Sequence, residues 1–134
     1  MFSILIIDPN IPFRKSLRKI INDRFPHIEI LEASAGDQGL IRLKRSNPAL
    51  VFIDIYLPDR NGLDLAKTIR AAHPQVIIAI FATYDSPEYQ AAASDSGVTY
   101  LIPKDDWTGA DILALVESIL LDAGIDHPIK IENK

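Results

Sequence analysis

Leu50-Val51-Phe52-Ile53-Asp54-Ile55-Tyr56-Leu57-Pro58-Asp59-Arg60-Asn61-Gly62 is the stretch on which the fold turns. Its apolar run lacks the alternation of a half-solvated strand, so it predicts a strand buried on both faces, as a parallel sheet demands. The run stops at a carboxylate and passes through a proline to a glycine. In open parallel sheets, sites form outside the carboxyl ends of the strands, which makes Asp54 a candidate functional residue from its place alone.

Runs of the same character lie to either side. Ser3-Ile4-Leu5-Ile6-Ile7 ends at Asp8, and Val76-Ile77-Ile78-Ala79-Ile80-Phe81 ends at Ala82-Thr83. Two weaker strands are Ile28-Glu29-Ile30-Leu31-Glu32, whose alternation suits a sheet edge, and Thr99-Tyr100-Leu101-Ile102, which runs toward Lys104. Amphipathic segments separate them. Phe13, Leu17, Ile20 and Ile21 share one helical face, as do Leu40, Ile41 and Leu43, then Leu63, Leu65, Ala66 and Ile69; a last helix spans Trp107 to Asp122. Asn10 and Pro12 open the first helix, Asn47-Pro48 close the second, His73-Pro74 close the third and Ser86-Pro87 open the fourth. The fourth, near 87–96, has only Tyr89 and a few alanines as anchors, so its packing should be the weakest. The fold class is therefore α/β, (βα)5, with a doubly wound parallel five-stranded sheet, for which we expect the strand order 2-1-3-4-5, with right-handed crossovers putting successive strand ends on one side.

Composition narrows the function. The 134 residues fit one domain with a real core, and with no cysteine there is neither a disulfide framework nor a thiolate metal site. A formal charge of -4, from 14 basic against 18 acidic residues, opposes direct binding to nucleic acid. The first apolar run is cut by Asp8 far short of a membrane span. His27, His73 and His127 lie far apart and read as turn residues, so no zinc or triad arrangement is expected.

The strand ends bring together Asp8, Asp54, Ala82-Thr83 and Lys104. Two carboxylates and a lysine can hold a hard divalent cation and neutralise a phosphoryl oxygen. Singly, each acid could be a turn or cap residue and the lysine a solvated charge. Tyr84, Tyr89 and Trp107 could form a partner-binding patch near the fourth and fifth helices or simply complete the packing.

Residues 50–62 resemble the receiver domains of two-component response regulators, as do Leu5-Ile6-Ile7-Asp8, Ser34-Ala35-Gly36-Asp37-Gln38-Gly39-Leu40, Phe81-Ala82-Thr83-Tyr84-Asp85 and Gly97-Val98-Thr99-Tyr100-Leu101-Ile102-Pro103-Lys104-Asp105. The resemblance covers roughly residues 3 to 121. It implies a flavodoxin-like receiver fold over 1–124 with a short tail at 125–134, acting in the cytoplasm. It further implies a phosphoprotein in which Asp54 becomes a 4-aspartylphosphate, taking its phosphoryl group from a phosphohistidine. Lys104 would pair with that group. Mg2+ would be held by Asp8, Asp54 and the backbone carbonyl of Tyr56, with no organic cofactor. The implied partners are a histidine kinase or phosphotransfer protein and a downstream protein, with a homodimer allowed and neither nucleic acid nor membrane. Such a chain is a switch, limited to accepting the group and slowly losing it, and not a multi-turnover enzyme.

Three positions depart from the family pattern. Pro9 stands where a second acid follows the first strand, so magnesium should bind weakly, with Asp59 or Asn10 as substitutes outside the matching positions. Ala82 stands 22 residues before Lys104, where the switch hydroxyl belongs. Thr83 carries a hydroxyl one step on, which either turns inward at the strand's end or faces away. Leu101 replaces the switch aromatic three residues before the lysine, with Tyr100 one place early. These departures motivate an alternative, a phosphorylation-independent pseudo-receiver serving as an interaction module. A hydrolase of the haloacid dehalogenase type would need a second acid where Tyr56 stands.

Overall fold

Strands with every side chain buried belong at the centre of a sheet covered on both faces, and those with exposed positions at its edges. The computed structural model, which describes residues 2–83 and 87–122, follows this rule. All residues of β1 (Ser3–Ile7) and β3 (Leu50–Asp54) are buried, and only the first of β4 (Ile77–Ala82) is not. The partly exposed β2 (Glu29–Ala33) and β5 (Tyr100–Pro103) form the edges. Pairing is parallel throughout in the order β2-β1-β3-β4-β5, as predicted.

Five helices follow the strands in turn: α1 (Ile11–Arg24), α2 (Gly36–Ser46), α3 (Gly62–Ala72), α4 (Pro87–Asp95) and α5 (Gly109–Asp122). Leu17 and Ile21 of α1 join Ile112, Val116 and Leu120 of α5 on one face of the sheet. Leu43 of α2, Leu65, Ala66 and Ile69 of α3, and Tyr89 of α4 cover the other. Asn10 caps α1 by accepting from the Phe13 amide at 3.0 Å, and Asn47 ends α2 in the left-handed conformation, φ 50°.

Differences from the expected boundaries have local causes. The last helix starts at Gly109 and not at Trp107, because the Asp111 amide donates to Thr108 Oγ1 at 3.1 Å and the Thr108 amide to Asp111 Oδ2 at 3.0 Å. That reciprocal cap leaves Trp107 in the preceding loop. Ile41 does not face inward. It is 57% exposed because α2 buries Gly36, Gly39 and Leu43, and Ile41 is two positions, about 200°, from Leu43. Of α4 only Ala93 is buried, consistent with its expected poverty of anchors. Residues 84–86 and the tail at 125–134 lie outside the described residues.

Candidate functional site

The β1–α1 turn supplies Asp8. Its amide extends the sheet by donating to the Ala33 carbonyl at 2.9 Å, and its side chain is 1% exposed. The Asn10 amide donates to Asp8 Oδ1 at 2.8 Å, while the Arg14 guanidinium donates to the Asp8 carbonyl and, through Nε, to Glu32 Oε1 at 2.9 Å.

Asp54 ends β3 opposite Phe81 and is 7% exposed. The following loop must turn sharply to start α3. A Cβ on Gly62 would lie 2.7 Å from the Asp54 carbonyl oxygen and the Ile55 Cα, so backbone packing against the acid demands glycine there. Lys104 arrives from β5, its amide donating to the Ala82 carbonyl at 2.8 Å. Its ammonium lies 2.8 Å from Asp8 Oδ2 and 3.4 Å from Asp54 Oδ1, and 4.5 Å above the centre of the Phe13 ring. The two expected carboxylates and the lysine are thus brought together at the carboxyl edge.

Burial pushes the Asp54 carboxyl up from its ordinary range and the charge of Asp8 adds to this, while Lys104 and the Tyr56 amide pull the other way. Two anionic groups and one cation leave the cluster negative. Among the described residues no three acidic, histidine or cysteine side chains converge as a metal site. A cation here would find Asp8, Asp54 and, two residues beyond, the Tyr56 main chain.

The positions around this cluster divide differently from the sequence expectations. Asp59 does not join it. Its carboxylate accepts the Gly36 and Asp37 amides at 2.8 and 2.9 Å, bonds that hold its carboxyl below the usual range, and it serves the start of α2. Asn10 is likewise occupied as the α1 cap. Ala82 is buried in the core beneath α3, and Leu101 packs on that same core, whereas Thr83 is exposed past the end of β4. The aromatic patch divides: Trp107 packs on the α1–α5 face and Tyr89 on the opposite one, with Tyr84 outside the described residues.

Sequence reading missed Phe13, Arg14 and Glu32. Phe13 showed only as a core-facing helical position. Glu32 accepts from Arg14, Lys15 and Arg18, which outweigh the upward push of its burial and hold it down at about 2. The spacing of those three cations on α1 was the available signal; the acid they meet comes from another strand.

The family model described as the response regulator receiver domain matches residues 4–117. The chain belongs to that family. A protein-glutamate methylesterase/protein-glutamine glutaminase of Geobacter metallireducens is 30% identical over 112 residues, 81% of this chain and 32% of that protein. An uncharacterised response regulatory protein of Staphylococcus epidermidis is 33% identical over 125 residues, 91% of this chain and 49% of that one. The receiver domain therefore spans about a third to a half of the length of these relatives. A two-component response regulator from Clostridium difficile shares the fold, with a TM-score of 0.84, 23% identity, and coverage of 92% of this chain and 98% of that one. No described helix of the receiver domain is long and apolar enough to cross a membrane.

Proposed function

We propose that this receiver domain accepts a phosphoryl group on Asp54 and signals through altered binding of a protein partner. The observation carrying this reading is the buried Asp54 carboxylate at the end of β3, with the Lys104 ammonium 3.4 Å away and shared with Asp8. An Asp54 oxygen attacks the phosphorus of a phosphohistidine on a histidine kinase or phosphotransfer protein. The P–O bond forms as the P–N bond breaks, and the imidazole nitrogen keeps the bonding pair and takes a proton. Lys104 neutralises the charge that gathers on the phosphoryl oxygens. The chain does no chemistry beyond this acceptance and the slow hydrolysis of the acyl phosphate.

The donor set fits a magnesium ion that keeps part of its water: Asp8, Asp54 and the Tyr56 carbonyl would hold it, and the ion would supply further charge neutralisation. Asp8 already gives one oxygen to Lys104 and the other to the Asn10 amide, and Pro9 offers none. Binding is accordingly weak. Pro9→Asp should tighten it about tenfold in a calorimetric titration, the value of one charge-assisted contact.

Incubation with acetyl phosphate and Mg2+, followed by intact mass, tests the reading. One phosphoryl group should be gained by the parent and none by Asp54→Asn. A parent that stays unmodified while binding beryllofluoride nowhere near Asp54 refutes it. Buried Ala82 and the missing acid at Pro9 favour a second reading, an interaction module indifferent to phosphorylation, in which Asp54→Asn would leave partner binding unchanged.

A further inference from the structure

We infer that Phe13 is a positioning residue for the site: its ring holds the Lys104 ammonium over the Asp8–Asp54 pair in the geometry that receives a phosphoryl group. The inference rests on the proposal that Asp54 is the acceptor. It is carried by Lys104 Nζ standing 4.5 Å from the centre of the Phe13 ring while contacting both carboxylates. An aromatic face attracts a cation, and more strongly where water is partly excluded. Here the lysine side chain is 20% exposed, Phe13 is half-buried, and Asp8 and Asp54 are buried.

Lys104 needs such a restraint. Its stem is long and flexible, and the next two residues in the chain, Asp105 and Asp106, are exposed acids. Pro9 adds no carboxylate on the inner side. The ring is itself fixed. Phe13 meets Phe81 edge-on with centroids 5.0 Å apart and Trp107 edge-on at 5.9 Å. Its amide is bound by the Asn10 side chain, and the Asn10 amide is bound to Asp8 Oδ1. One cap residue therefore sets both the ring and the carboxylate that share the lysine.

The test compares acetyl phosphate labelling of Asp54 in the parent, Phe13→Leu, Phe13→Tyr and Lys104→Met, with circular dichroism confirming that each is folded. Phe13→Leu, which keeps apolar bulk and loses the aromatic face, should slow labelling about two- to thirtyfold, the range expected for one cation–π contact. Phe13→Tyr should label near the parent rate, and Phe13→Leu should add no slowing in the Lys104→Met background. Parent-rate labelling in Phe13→Leu, or equal slowing with and without Lys104, overturns the inference. A second measurement needs no phosphoryl transfer. The Lys104 ε-methylene protons, bonded next to the Nζ that stands 4.5 Å from the ring centre, should resonate upfield in the parent and in Phe13→Tyr and return to ordinary positions in Phe13→Leu. If the parent is neither labelled nor binds beryllofluoride at Asp54, the acceptor reading fails, and this ring-current pattern still decides whether Phe13 holds Lys104. Ordinary shifts in the parent would show that it does not.

Discussion

The two faces of the sheet meet at the same aspartate but are built of different material. On the α1–α5 face lie all five phenylalanines, Phe2, Phe13, Phe25, Phe52 and Phe81, together with Trp107. The opposite face, under α3 and α4, is packed with Leu, Ile, Val and Ala, with Tyr89 as its aromatic among the described residues. Phe52 stacks on Phe81 at 5.6 Å, Phe81 lies 5.9 Å from Trp107, and the chain of rings ends at Phe13 beneath Lys104. Aromatic pairs depend on orientation, so a shift of the lysine is felt by the next ring; aliphatic packing has no such directionality. On the other face Ala82 and Leu101 present no group able to bond a phosphoryl oxygen or to follow one. A modification can bias only those elements with which it has different contacts in its two states. If Asp54 is phosphorylated, this difference leads us to expect the larger response in α1 and α5 and the smaller in α4, despite the sparse anchoring of α4.

The largest expected effect is on stability. Phe81→Ala should cost about 3–5 kcal/mol in denaturant unfolding, and a loss below about 1 kcal/mol would show that the aromatic face is not tightly packed. Next comes Lys104→Met, which should lower the rate of phosphoryl acceptance by about a hundred- to a thousandfold by intact mass, since it removes the charge that both carboxylates and the ring converge on. A parent-like rate would detach the aromatic face from the chemistry.

Smaller, and confined to acid, is the contribution of Glu32, which ties α1 to the end of β2. Its folded pKa of about 2 lies below the ordinary 4.5, so the native state favours the charged form. The resulting stability is complete above about pH 4.5 and is lost as the pH falls toward 2. Glu32→Gln should lower stability by about 1 kcal/mol at neutral pH and flatten that acid slope in melting curves. Asp54 has the opposite sign: its raised pKa means that the charged form costs stability above it, so Asp54→Asn should melt higher than the parent at neutral pH.

The finest test is amide shift mapping with beryllofluoride. Shifts should concentrate in residues 11–24 and 107–122 and be small in 87–104 beyond Lys104 itself, with Thr83→Ala leaving the pattern intact. Large shifts in 87–95 that disappear in Thr83→Ala would make that exposed hydroxyl the switch and reverse the comparison.

The strands, their parallel order and the three residues at the carboxyl edge were legible from residues 50–62 and their counterparts, because burial on both faces leaves an unbroken apolar run and the polar residue ending it marks the sheet edge. Helix starts were legible where one side chain caps its own turn, as at Asn10, and illegible where two residues cap each other, as Thr108 and Asp111 do on either side of Gly109. Partnerships beyond that strand edge were not legible. Local period tells which side of an element faces the core, but not which residue of another element it meets there. Asp59, five residues after Asp54, looked free to help with a cation until the packed loops set it on the α2 amides. Phe13 looked like one more core residue, and only the closure of α1 and β5 around the site put its ring under Lys104.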